Sequence, residues 1–580
     1  MKKEIVGFFT IIILLLSSPI YSVTEIMSFN DVLIGNTGYG KTVFHGVKIE
    51  KFNIRIAGKF ANTKLENDLL LSGRAILIEI TGETVESYGG ISSGMSGSPI
   101  YIQDKIIGGI SATWKTNTKV QLALVTPIED MLKIIDYPST SLGCNSTENY
   151  FINQPFEYNG MEFNGVNVCR NTEESKSDYM NFFPVNSMVI SDMKITDIER
   201  KFIKNSGLYN VINPGSFLIA PMKKIVHNEL TEGASFGIQL VRGDFNITAL
   251  GTVTYLVKDK MVGLGHSMLK KGAVNYFLTS AYIYKTVPSQ TIPYRLGVPM
   301  ELIGSIVQDR DSAVLGLLKV FPSVVPVKIE CSDLDLKKNK TFIIQIVDDP
   351  EVLPIYLRST LTQALEQTSD RIGRGSVLIE TRIRYTTGKT TDIKILNLKW
   401  NYFDEADFTS KGVNGNIKLL TDLLENRFVK VSILDIYIKT EVQRNNGTVV
   451  LENINLTEHE NGGFEAVIQL TPHKKNQIQK KVIVDNKYIK SSGIYHLICD
   501  SEEKKNSEEI DLENVMKHND FSSFIKKLES EFSLPGIKFR IFFEENEKTT
   551  QIFSIRMSEK NFIPTGFIEK KVNVERIHKD

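Results

Sequence analysis

"GGISSGMSGSPIYIQDKIIGG" (residues 89–109) sets a small glycine–serine loop, Gly94-Met95-Ser96-Gly97-Ser98-Pro99, directly before an apolar β-run. A tight turn entering a hairpin has this composition. A loop that holds a serine hydroxyl at a sharp bend, with backbone N–H groups aimed at a developing oxyanion, has it too. In both readings glycine lets the backbone turn and approach its neighbours without a Cβ in the way. The readings part elsewhere in the chain, because a reactive serine needs a base.

The chain has eight histidines. His45, His227, His459, His473, His496, His518 and His578 stand in polar or alternating surroundings and read as solvated or structural residues. His266 differs: "MVGLGHSML" places it between glycine and serine, just after an apolar strand. That makes it the candidate general base, provided its ring comes within reach of Ser96. In barrel-type serine peptidases the loop reads Gly-x-Ser-Gly-(Gly/Ser)-Pro, and the N–H groups of that Gly and Ser form the oxyanion hole. Here they are Gly94 and Ser96.

At 580 residues the chain is long enough for two to four domains. Hydrophobic residues make up 42% and charged residues 23%, the balance of an ordinary folded protein. Lys+Arg and Asp+Glu are both 68, so no excess of positive charge argues for nucleic acid as a partner. The start, "MKKEIVGFFTIIILLLSSPIYSVTE", has two lysines, a short apolar run and then small residues, the layout of a secretory signal peptide over residues 1–22. No later run reaches the length of a membrane helix. The expected location is outside the cytoplasm: periplasm, cell envelope or extracellular. Export makes pairing of the four cysteines worth considering, and Cys144–Cys169 closes the shortest loop. Four separate buried thiols, with Cys331 and Cys499, are the other reading. Their spacing is too wide for a zinc site and the histidines do not cluster, so no metal or other cofactor is expected.

Along the chain the pattern is mainly β. Residues 23–138 alternate apolar and polar between glycine and asparagine turns, as in "KTVFHGVKIEKFNIRIAGKF", and carry the serine loop. Residues 139–213 are rich in Asn, Ser, Glu and Lys and read as a connecting region or insertion. Strand patterning returns over residues 214–330, which carry His266. Residues 331–500 read as an immunoglobulin-like β-sandwich interrupted by a helix near Leu353–Gln367 and another near Ile417–Glu425. Residues 501–580 read as a charged linker and a small α/β tail.

As a set, "GYGKTVFHGVKIEKFNI", "GGISSGMSGSPIYIQDKIIGGISATW", "VTPIEDML", "IQLVRGDFNITALGTVTYLVKDKMVGLGHSML" and "VQDRDSAVLGLL" resemble the SpoIVB-type family of exported bacterial serine peptidases. The resemblance implies a chymotrypsin-like double β-barrel with Ser96 as nucleophile and His266 as base. The serine half precedes the histidine half, so the barrels are exchanged in order relative to chymotrypsin. It implies an exported endopeptidase acting on protein or peptide through an acyl-enzyme, in envelope signalling or self-processing. The chain departs from the family in its acid. The sporulation peptidases place an aspartate upstream of the serine, where "TGETVESYGG" offers only Glu83 and Glu86. Asp309 in "VQDRDS" is the preferred third member, with Asp244 and Asp311 as other candidates. No PDZ-like module is found. A catalytically silent envelope binding protein on the same fold is the alternative, its partner taken up by the C-terminal β domain.

Overall fold

The computed structural model describes residues 24–61, 73–114, 121–138, 150–169, 175–185, 189–191, 211–212, 230–288, 293–371, 373–388, 392–444, 447–459, 463–501, 520–545, 548–559 and 562–575. The expected signal peptide and Cys144 lie outside these residues. Two compact units divide the chain: residues 1–240 with 246–323, and residues 241–245 with 324–580.

The first unit contains two barrels. Strands β1 (Thr37–Val43), β2 (Ile49–Ala61), β3 (Arg74–Thr81), β4 (Pro99–Ile102), β5 (Lys105–Trp114) and β6 (Gln121–Pro127) pair in the order β4-β1-β2-β3-β6-β5, and β4 pairs with β5 to close the ring. The alternation read from sequence is the cause. In β2, Phe52, Ile54, Ile56 and Phe60 are buried while Lys51, Asn53 and Arg55 are exposed. Phe52, Ile54, Ile56, Ile76, Ile78, Ile100, Ile110 and Val125 share one apolar cluster. Each such side chain contributes roughly 1.5–3 kcal/mol on burial.

Three further strands extend from this barrel: β7 (Tyr150–Tyr158), β8 (Met161–Val168) and β9 (Met180–Pro184), in the order β5-β9-β8-β7. They fall in the polar stretch read from sequence as a connection or insertion. Two short strands follow, β10 (Val189–Ser191) and β11 (Val211–Ile212).

The second barrel has β12 (Ser235–Gly243), β13 (Ile247–Val257), β14 (Lys260–Gly263), β15 (Gly272–Val287), β16 (Tyr294–Arg310) and β17 (Ala313–Leu318). Their order is β13-β14-β17-β16-β15-β12, closed by pairing of β13 with β12. Counted along the chain within each barrel, both rings read 1-2-3-6-5-4. This is the mainly β, double-barrel class expected of the peptidase part. Strand β13 is buried continuously from Ile247 to Tyr255 rather than on alternate residues. One of its faces looks into its own barrel and the other receives the serine loop, so neither face meets water.

The second unit is also β-rich. A sheet from Val324–Asp333, Lys338–Val347, Gly375–Thr387, Lys394–Asp404 and Val431–Gln443 is packed by the helices Val352–Ser369 and Asn414–Leu424. Both helices lie where the sequence pattern puts them. Two four-stranded sheets share one core that draws on Leu451, Ile468 and Leu497 and equally on Ile537, Phe539 and Ile541. Strands beyond residue 501, read from sequence as a tail, therefore supply part of this second core.

The expected Cys144–Cys169 pairing involves Cys144, which lies outside the described residues. Cys169 is buried, and Cys331 and Cys499 are free buried thiols. Cys169 Sγ sits 2.9 Å from Asn167 Nδ2, held within its own strand neighbourhood. Among the described residues no helix is long and apolar enough to cross a membrane, and no group of His, Cys, Asp and Glu is placed to hold a metal.

Gly97 tests the joint between the barrels. It has φ +85°, and a methyl added there would overlap the Thr252 carbonyl and the Leu264 backbone N. Gly35, at φ +89° with open space around it, isolates the backbone strain alone. Gly35→Ala is expected to cost about 1 kcal/mol and Gly97→Ala at least about 2 kcal/mol more, measured by chemical denaturation.

Candidate active site

The loop from Gly90 to Ser98 is buried throughout. Its shape comes from short internal turns: Met95 N–H donates to Ser92 O and Ser98 N–H to Met95 O, both at 2.9 Å. Gly94 and Gly97 bend it at φ +93° and +85°. The rest of its backbone bonding goes to neighbouring strands. Gly97 N–H donates to Ile110 O at 2.7 Å on β5. Ser96 O accepts from Thr252 N–H at 2.9 Å, Gly94 O from Thr252 Oγ1 at 3.0 Å, and Gly97 O from Thr254 Oγ1 at 2.6 Å. On the other side Ser93 N–H donates to Pro293 O at 2.8 Å and Ser93 O accepts from Arg295 N–H at 3.1 Å. The loop that leaves the first barrel is thus clamped by β13 and β16 of the second.

Ser96 itself is fully buried, and its Oγ has no hydrogen-bond partner among the described residues. Burying a hydroxyl unpaired costs about 1–3 kcal/mol, so a fold that keeps one needs a reason. The N–H groups of Gly94 and Ser96 donate to no described backbone carbonyl. These are the two donors read from sequence as an oxyanion hole.

His266 follows Leu264 and Gly265, both in the left-handed region at φ +68° and +69°. Gly265 lies against β5, where an added Cβ would stand 2.9 Å from Ile110 O, and its carbonyl accepts from Thr126 Oγ1 at 2.6 Å. The serine and histidine loops therefore share Ile110 as a neighbour, and Gly97 packs directly on Leu264. No direct Ser96–His266 hydrogen bond is formed. His266 Nδ1 donates to Ser267 O at 2.7 Å, and Nε2 stands 3.3 Å from Val185 O. Burial pushes the imidazole below its ordinary pKa against the pull of those two carbonyls, which favours the neutral ring a base requires.

The acidic candidates sit apart from the ring. Asp309 is buried in β16 and its two oxygens accept from Met268 N–H at 2.7 Å and Leu269 N–H at 2.6 Å. It holds the turn after His266 rather than the imidazole. Asp311 pairs with Lys270 at 2.8 Å. Asp244 accepts from Ile343 N–H at 2.6 Å, within the second unit. Glu83 and Glu86 are exposed in a one-turn helix, Glu83–Ser87.

Arg295 was not singled out by sequence. It is fully buried under the serine loop and donates through Nη1 to Gly94 O at 2.9 Å and Thr252 Oγ1 at 3.1 Å, and through Nη2 to Thr42 Oγ1. No carboxylate meets it among the described residues, and burial pushes its pKa down to about 9. A lone arginine in "PYRLG" carries no sequence signal for this. The signal for the threonines was present, since "GTVTY" holds Thr252 and Thr254 at a spacing of two, one strand face.

Residues 14–132 match the family model described as SpoIVB peptidase S55. The match supports a serine peptidase. It bears out the resemblance to the SpoIVB-type family over the part that carries Gly94 and Ser96, and it ends before His266 and Asp309. No curated protein matches the chain.

Burial raises the Asp309 pKa from 3.8 to about 6, against the lowering effect of the backbone donors Met268, Leu269, Lys271 and Lys270. Between those two values the unfolded chain has lost a proton that the folded chain keeps. Stability therefore falls as pH rises through that window, by up to about 3 kcal/mol from this group. Asp309→Asn is expected to flatten the fall, read by denaturation of both proteins at pH 4 and pH 7.

Proposed function

We propose that the chain is an exported serine endopeptidase with Ser96 as nucleophile and His266 as base. The observation that carries this reading is the buried, unpartnered Ser96 hydroxyl on a glycine loop packed against the segment that bears His266. In the reaction Ser96 Oγ attacks a peptide carbonyl while His266 Nε2 takes its proton. The N–H groups of Gly94 and Ser96 receive the charge that builds on the carbonyl oxygen. His266 then gives the proton to the leaving amine, and water releases the acyl group by the same steps in reverse order of partners.

Two further residues act through these. Arg295 fixes the Gly94 carbonyl, and so aims the adjoining peptide, while placing a positive charge beneath the oxyanion. Asp309, expected from sequence as the third catalytic member, serves His266 through the backbone by gripping Met268 and Leu269. Its carboxylate holds the loop; the imidazole proton on Nδ1 is held by the Ser267 carbonyl. The substrate is protein, the location is outside the cytoplasm, and the second unit is the surface through which an envelope partner would dock. Envelope signalling and self-processing both fit this placement.

A silent binding protein is the second reading, favoured by one observation: His266 Nε2 faces the Val185 carbonyl and not Ser96. Labelling with a fluorophosphonate separates the two. Wild type is expected to react, and Ser96→Ala and His266→Ala to lose labelling while melting as wild type does. Removing a nucleophile or its base costs on the order of 10⁴- to 10⁶-fold in rate, so the contrast is large. Labelling that persists in Ser96→Ala, or absence of labelling in every folded form of the chain, supports the silent protein.

A further inference from the structure

Strand β9 ends at the site. It runs antiparallel along the last residues of β5, with Phe182 opposite Trp114, Phe183 opposite Thr113 and Pro184 opposite Ala112. The next residue, Val185, donates its N–H to Ser111 O at 2.9 Å. Ser111 is the extra residue of a β-bulge, since pairing of β5 with β6 passes from Ile110 to Ala112. The bulge turns that carbonyl out of the β6 ladder and toward β9. The Val185 side chain is fully buried and belongs to the same apolar cluster as Ile91, Met95 and Ile110, residues of the serine loop and of β5. Its carbonyl oxygen stands at His266 Nε2.

Those four features are what the acyl side of a peptide substrate needs at such a site. The chain must extend as an added antiparallel strand, anchored by main-chain hydrogen bonds. The last residue must put its side chain in a pocket beside the nucleophile and its carbonyl near the base. We propose that Phe182–Val185 is an internal occupant of the groove that takes the acyl side of the substrate. By the same geometry, the substrates of this site are extended segments with a small branched aliphatic residue in the Val185 position. The inference rests on the Ser96–His266 reading.

The occupant is held in an unreactive pose. Attack requires the carbonyl oxygen to lie on the N–H groups of Gly94 and Ser96, whereas Val185 turns its oxygen to the imidazole. The strap thus covers the base nitrogen and fills the pocket without presenting a carbonyl for attack. Pro184 suits this role because it has no N–H to leave unpaired at the strand's edge.

The test uses the full chain and the rate of fluorophosphonate labelling. Val185→Ala and Val185→Asp weaken the strap's hold on the pocket, and each is expected to label at least tenfold faster than wild type, with Ser96→Ala in the same background abolishing it. Acetyl-Phe-Phe-Pro-Val-aldehyde is expected to block labelling of Val185→Ala at a concentration at least tenfold lower than acetyl-Phe-Phe-Pro-Lys-aldehyde. Equal labelling rates in wild type and folded Val185→Ala would overturn the occupant. Equal blocking by the two aldehydes would overturn the pocket's preference. If neither variant folds, the aldehyde comparison on wild type decides the preference, and protection that appears only at higher aldehyde concentration than free-peptide binding requires counts for the occupant, absence of that gap against it. Labelling that is independent of Ser96 in every form overturns the underlying reading instead, so the two failures are distinct.

Discussion

Everything at the site depends on backbone meeting backbone at Gly97. The serine loop reaches the second barrel with no side chain at that residue, and the Thr252 carbonyl and Leu264 N occupy the space a Cβ would take. Gly265 repeats the arrangement from the other side, against Gly109 and Ile110. Among the described residues, these contacts bring the loops that carry Ser96 and His266 together without a salt bridge or disulfide between them. Close packing of this kind has no flexible side chain to absorb error, so each loop's position is set by the strands on which it rests.

The polar interior of the joint is unusual in its charge balance. Arg295 brings a full positive charge to a place with only hydroxyls and one carbonyl to receive it. Among the described residues its Nε has no partner, and the Ser92, Ser93 and Ser96 hydroxyls are likewise unpaired. Such groups cost stability in a closed interior. A developing negative charge is what a lone buried cation would favour, so the expense falls where a peptidase can use it. Asp309 does the opposite: a buried carboxylate is satisfied by backbone donors and keeps the turn after His266 in place.

Much of this was legible in the chain. The glycine–serine loop, the apolar strand before His266 and the alternation in β2 each have a local cause, and the structure has the mainly β, barrel-based fold they imply. The long helix of the second unit, expected near Leu353–Gln367, spans Val352–Ser369. Arg295 and Val185 could not be read, because each acquires its meaning from a neighbour far along the chain. Arg295 is 201 residues from the Gly94 carbonyl it holds, and Val185 is 81 residues from His266.

Each barrel closes on its own six strands in the same 1-2-3-6-5-4 winding. Neither ring borrows a strand from the other, so the order in which a gene spells them leaves both rings intact. The stretch between the barrels supplies β9, which adds to the first ring along β5 without opening it.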